Sequence, residues 1–318
     1  NFFNTDFNSV GSGFKVADWA EIADKFSHCF LGLLFHPFAY MFREKHLFFP
    51  EKFFQLYHRF NSEILQIIRN RTERIVESGD CQSDDNGTLL DTIIQARMND
   101  GRVTRMKEIQ AFVNIVLLAG YDTTKTTLSW CLYLLGHHQS IQQRLHEEIR
   151  QFLDQLNERH EEITIMNMKG LKFLESCIYE TLRLYPPGVV IGRRARRTVM
   201  LSNTLSIPAG VDVLFHFWRI NRDPKYYKQP NVFNPERFLT DDHLAINQQP
   251  LRSVFFPFSG GIRSCIGREY AMMQMRLFLI NIINRYELRS MDNYGDASPQ
   301  MNFLHPAAQF PIQFERRT

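Results

Sequence analysis

Apolar positions recur every three or four residues over most of this chain, the spacing of helices that bury one face. Residues 12–80 read as helices with aromatic-rich joints, among them FLGLLFHPFAYMF (Phe30–Phe42) and HLFFPEKFF (His46–Phe54). Pro37 and Pro50 interrupt these apolar runs, so neither makes a membrane span. The polar, turn-rich SGDCQSDDNG (Ser78–Gly87) predicts an exposed loop. A long helical pattern then runs from about Thr104, a candidate N-cap, to His137. A second helix is predicted from Ser140 to about Leu156, with its charges on one face. A third covers Leu171 to Leu184 and stops before Pro186-Pro187, because the residue preceding a proline is pushed out of the helical region.

The period changes after that. TVMLSNTLSIPAGVDVLF (Thr198–Phe215) alternates and is rich in β-formers, with a Ser-Asn turn and a second corner at Pro208-Ala209-Gly210. Irregular chain with many prolines and aromatics follows from Asn221 to Phe258. A last helix is predicted from Ile266 to about Tyr286, then a short strand pair around His305-Pro306. The reading is a mainly α chain with small β-sheets, without the strand–helix alternation of a doubly wound fold.

Composition narrows the classes. Of 318 residues, 44% are hydrophobic and 13% aromatic, enough for a sizeable core. The net charge of +3 gives no footprint for general nucleic-acid binding. No apolar run reaches the roughly eighteen residues of a membrane helix, and no signal peptide is evident. The chain begins at Asn1 without a methionine, as a partial sequence would. Five cysteines (Cys29, Cys81, Cys131, Cys177 and Cys265) lie far apart, with neither zinc-site spacing nor a disulfide framework. Four read as ordinary thiols.

Cys265 differs. It lies in FPFSGGIRSCIG (Phe256–Gly267), between glycine-containing turns and just before a helix. A helix N-terminus carries partial positive charge and unpaired N–H groups, both complementary to an anionic sulfur. Gly260, Gly261 and Gly267 permit tight turns and close approach of a flat, bulky partner. Arg263 supplies a fixed cation suited to a carboxylate. Thiolate, glycines and arginine together suit haem, with cysteine as axial ligand and arginine on a propionate. The local chemistry alone equally allows a nucleophilic or redox cysteine, for which His216 is a distant candidate base.

The segment FSGGIRSCIG resembles the haem-binding signature of the cytochromes P-450, F-x-x-G-x-R-x-C-x-G, through Phe258, Gly261, Arg263, Cys265 and Gly267. Three more stretches resemble this family's motifs in its order. AGYDTT (Ala119–Thr124) is similar to the oxygen-binding stretch of the central helix. ETLR (Glu180–Arg183) is similar to the E-x-x-R helix, and NPERF (Asn234–Phe238) to the element whose Arg237 joins that pair. The resemblance covers the whole chain and corresponds to the C-terminal two-thirds of the family's catalytic domain. It implies one incomplete domain over residues 1–318, without the N-terminal anchor, first helices and sheet.

Its further implications are concrete. The cofactor is haem b with Cys265 as thiolate ligand, and Arg193 stands where the family has a second propionate-binding arginine. The neighbouring Arg194, Arg196 and Arg197 leave that register open to a solvated basic run. Ala119 and Gly120 leave room above the haem, where a local widening of the helix would free a carbonyl for water. Asp122 and Thr123 relay protons, and Glu180, Arg183 and Arg237 form a structural triad. Ile115, Val116, Gly188–Ile191 and Phe303–Leu304 face the substrate, and are mostly apolar. The implied activity is haem-thiolate monooxygenation of a lipophilic substrate. Electrons come from NADPH through NADPH-cytochrome P-450 reductase, with or without cytochrome b5, docking near Arg268 and Arg276. The implied place is the cytosolic face of the endoplasmic reticulum membrane, with residues 30–54 suited to a bilayer surface. A haem-thiolate isomerase or dehydratase, which needs no reductase, and a haem-free fragment are the alternatives. The Asp122-Thr123 pair favours oxygen activation.

Overall fold

The computed structural model describes residues 51–78, 88–99, 106–239, 254–294 and 310–317. Residues 30–50, Thr104, the loop after Ser78, Phe303–Leu304 and His305-Pro306 therefore lie outside the described residues. The chain divides into two compact units, Asn1–Asp122 and Thr123–Thr318.

In the first unit, helix α1 (Glu51–Ser78) begins directly after Pro50. Phe60, Ile64, Ile67, Ile68 and Ile75 form its buried stripe at helical spacing. The stripe packs with Leu90 and Ile94 of α2 (Leu89–Asn99) and with Ile109 and Val113 of α3 (Met106–His137). Polar ties fix the register. Gln110 and Asn114 of α3 donate to the Asn61 side-chain oxygen at 3.0 and 2.7 Å. Arg71 makes a bidentate pair with Asp91 at 2.5 and 2.9 Å.

The second unit holds the end of α3, then α4 (Gln139–Arg159), α5 (Ile165–Met168) and α6 (Lys172–Leu184). Thr164 and Asn167 form a reciprocal capping box at the start of α5. Helix α6 is central: from Phe173 to Leu184 every residue but Glu175 is buried. Its polar residues are accordingly paired, as in the Thr181 hydroxyl donating to the Cys177 carbonyl at 2.8 Å. Tyr185, which ends α6, stacks flat on the fully buried Trp130 of α3, with ring centroids 3.7 Å apart.

Three antiparallel two-stranded sheets follow among the described residues. Strand β1 (Val190–Arg194) pairs with β4 (Asp212–His216), with Gly192 opposite Leu214. Strands β2 (Val199–Met200) and β3 (Ser206–Ile207) form a hairpin. Gly210, at φ +86°, makes the predicted corner before β4. Strand β1 was not apparent in the sequence, where Gly192 and the arginines break any alternation. A short α7 (Phe217–Ile220) leads to the irregular chain, whose Pro235–Phe238 forms a 3₁₀ turn.

Helix α8 (Arg268–Arg285) starts two residues later than predicted, with Gly267 at its N-cap. Met272, Met275, Arg276, Leu279, Ile280 and Ile283 form its buried stripe. It runs straight into β5 (Tyr286–Ser290), which pairs with β6 (Ile312–Arg316). The buried amide of Gln142 in α4 clamps β5: its oxygen accepts from Leu288 N–H at 2.9 Å, and its nitrogen donates to the Leu288 carbonyl at 2.9 Å.

Candidate haem-thiolate site

Of the three cysteines among the described residues, Cys131 and Cys177 are buried and only Cys265 is exposed. Burial pushes the Cys131 thiol up to about 12 and raises that of Cys177 well above its ordinary value, which makes both inert. Cys265 sits two residues ahead of the α8 N-cap. The loop before it folds back on itself: the Cys265 N–H donates to the Phe258 carbonyl at 2.9 Å, and Ser264 N–H to Gly261 at 3.1 Å. Gly261 stands at φ +69°, a conformation that favours glycine. Ile262 and Ile266, on either side of the cysteine, are almost wholly exposed. The sheet contributes Arg193, whose guanidinium donates to the Ser259 hydroxyl at 3.1 Å. The β1–β4 pairing thus brings Arg193 to the cysteine loop across 66 residues of chain. Arg263, in the 3₁₀ turn Gly261–Arg263, is exposed.

Helix α6 carries an ionic network. Glu180 and Arg183, both fully buried, pair through two hydrogen bonds of 2.7 and 2.8 Å. Arg237 reaches the same carboxylate at 3.1 Å, and the Asn234 N–H reaches it at 2.9 Å. Arg183 also donates to the carbonyls of Asn221 and Pro230, each at 2.7 Å, and lies over the Tyr227 ring. The network joins α6 to the turn carrying Arg237 and to the irregular chain before it. The carbonyl partners carried no sequence signal, since any residue supplies a carbonyl.

Helix α3 carries the other predicted residues. Ala119 and Gly120 are exposed, Asp122 is buried and Thr123 is half-buried. A Cβ added at Gly120 would meet nothing within 4 Å. The division between the two compact units falls between Asp122 and Thr123. The helix is regular α throughout Met106–His137, so the widening expected near Ala119 is not present. The Thr127 hydroxyl bonds the Thr123 carbonyl at 2.9 Å, the back-bonding that a regular turn provides. Ile115 and Val190 are exposed, and Val116 and Gly188 half-buried.

The docking role expected of Arg276 is also corrected. Arg276 is no docking residue: its side chain is 6% exposed and pairs with Glu175 of α6 at 3.0 Å. It occupies the buried stripe of α8, and an arginine placed there needs a carboxylate partner. Arg268 stays partly exposed, 3.5 Å from the Tyr179 hydroxyl.

A mainly helical fold, an exposed cysteine just ahead of α8 and a Glu180-Arg183-Arg237 network are the features that the resemblance implied. The chain belongs to the cytochrome P450 family, whose model matches residues 11–314. Its relatives include cytochrome P450 4d2 of Drosophila melanogaster, 36% identical over 63% of this chain and 38% of that protein. Human cytochrome P450 4A11 is 31% identical over 74% of this chain and 43% of its own length. Cytochrome P450 4ae1 of Drosophila melanogaster is 32% identical over 68% and 42%. Each match spans less than half of the relative.

The family's cofactor is haem held by a cysteine thiolate. The residues present fit that group. An exposed thiol, two uncovered isoleucines beside it and a turn open at Gly261 suit a flat apolar ring. Arg193 and Arg263 offer exposed cations for its carboxylates.

Proposed function

We propose that this chain carries the haem-binding half of a monooxygenase that inserts one atom of dioxygen into a lipophilic substrate. The observation that carries the reading is the exposed Cys265 sulfur at the foot of α8, with Arg193 bonded into the same loop at 3.1 Å. Cys265 would hold haem b through its sulfur. Arg193 and Arg263 would hold its propionates, and Phe258, Gly261 and Gly267 shape the loop. Bound haem supplies the site of dioxygen activation. By the family resemblance, the Asp122 carboxylate and Thr123 hydroxyl of α3 would hold and pass the protons that the reaction consumes, and Ala119 and Gly120 are the small residues of the same stretch. Glu180, Arg183 and Arg237 brace the loop and touch no reactant.

Electrons reach the site from NADPH through NADPH-cytochrome P-450 reductase, with or without cytochrome b5. The setting is the cytosolic face of the endoplasmic reticulum membrane. No helix among the described residues is long and apolar enough to cross a membrane. The test is the carbon monoxide difference spectrum of the reduced, haem-loaded protein. A thiolate-type band that disappears in Cys265→Ala is the expected result. Persistence of that band in the variant would overturn the assignment.

A further inference from the structure

The first turn of α6 lacks a cap of its own. Its N-cap residue is Leu171, which has no side-chain acceptor. The acceptor comes instead from α4. One oxygen of Glu148 accepts the Phe173 N–H at 2.8 Å, and the other accepts the Leu174 N–H at 2.8 Å. These are the donors that an N-cap side chain ordinarily satisfies.

One turn earlier on the same face of α4 stands Arg144. Its guanidinium lies 4.2 Å over the Phe173 ring and pairs with Glu236, the residue beside Arg237. A closed set of three links results. Glu148 joins α4 to the start of α6. Glu180, near the end of α6, joins it to Arg237. Arg144 joins the Arg237 turn back to α4. The residue after Leu174 is Glu175, whose carboxylate holds Arg276 of α8 at 3.0 Å. Helix α8 in turn begins three residues after Cys265, with Gly267 at its N-cap.

We propose that Glu148 is a positioning residue for the Cys265 loop, capping α6 from a neighbouring helix so that Glu175 and Arg276 set the start of α8. Arg144 closes the same frame from the Arg237 side. The inference rests on the reading of Cys265 as the ligand, but its main test needs no haem. Sequence alone places Glu148 among the charges on one face of α4, the usual mark of a solvated surface. The two N–H groups beneath it give it this second role.

The experiment is amide hydrogen exchange on the whole chain, free of haem, comparing parent, Glu148→Ala, Glu148→Gln and Glu147→Ala. Glu147 is the exposed neighbour and serves as the control. Glu148→Ala is expected to speed exchange about tenfold at Phe173 and Leu174, the size of a lost cap. It also speeds exchange at Cys265, whose N–H is otherwise held by Phe258. Glu148→Gln, which keeps one acceptor, shows a smaller change at the same amides, and Glu147→Ala shows none. Acceleration at Phe173 and Leu174 alone would reduce Glu148 to a local cap and overturn the proposal. So would uniform acceleration that includes core amides such as Leu134 and Ile149, because that reports general loosening. In the haem-loaded protein, Glu148→Ala lowers the thiolate-type share of the carbon monoxide spectrum at equal haem content, and an unchanged share would also overturn the proposal. A parent with no thiolate band would sink the proposed function, while the exchange results would still decide whether Glu148 controls the loop.

Discussion

Removal of the Glu180 carboxylate is a severe perturbation of the second unit. Both Glu180 and Arg183 have no exposed side-chain surface. The carboxylate accepts two hydrogen bonds from Arg183, one from Arg237 and one from Asn234 N–H. In Glu180→Ala all four donors lose their acceptor, and the Arg183 guanidinium stays buried with carbonyl partners only. Breaking a buried pair from one side costs about 3–5 kcal/mol, against about 0.2–0.5 kcal/mol for an exposed pair at the same helical spacing. A loss of that size is a large part of the roughly 5–15 kcal/mol that holds a domain together. Urea unfolding followed by the fluorescence of the buried Trp130 measures it, in a Trp19→Phe and Trp218→Phe background so that one indole reports. The midpoint falls in Glu180→Ala, and falls less in Glu180→Gln, which keeps an acceptor, while the slope stays near that of the parent. A loss below about 1 kcal/mol in Glu180→Ala would refute the argument, because water would then be replacing the carboxylate as it does at a surface.

Thr123→Ala is expected to uncouple oxygen consumption from product formation in the reconstituted enzyme, and equal coupling in variant and parent would remove Thr123 from proton delivery. Gly136→Ala places a methyl 2.9 Å from the Ser290 backbone nitrogen and 2.5 Å from its hydroxyl, so the end of α3 and β5 must separate. The expected cost is about 1–3 kcal/mol, read as a lower thermal midpoint. Burial lowers the pKa of His138, with the nearby His137 acting in the same direction and the Leu134 carbonyl opposing. Its folded pKa lies below the unfolded one, so its contribution is fully present above about pH 6.5 and is lost as the pH falls below that value. His138→Gln should flatten the acid limb of a plot of stability against pH.

The candidate site was largely legible in the sequence, but unevenly so. The position of Cys265 between glycines and ahead of a helix follows from local turn and helix signals, and the structure leaves that thiol exposed. Glu180 and Arg183 are three apart and share a helix face in any structure. Whether that pair is a solvated ornament or a buried anchor depends on Asn221, Pro230 and Arg237, which arrive from 38 to 57 residues away. The docking role given to Arg276 failed for the same reason. A charged residue in a helix reads as surface by default, and only the packing of α8 against α6 shows that this one is buried on Glu175.

The sequence by itself determined the helical periods, the stop of α6 before Pro186-Pro187, the corner at Gly210 and the chemistry of the cysteine loop. Each depends on residues close together along the chain. Tertiary structure alone decided that β1 forms and carries Arg193 to Ser259, and that Gln142 clamps β5. It alone turned Glu148 into the cap of another helix. Periodicity shows which face of an element is buried, but not what covers it. Backbone N–H and carbonyl groups, the partners in most of these long-range bonds, are the same in nearly every residue and leave no mark in the sequence.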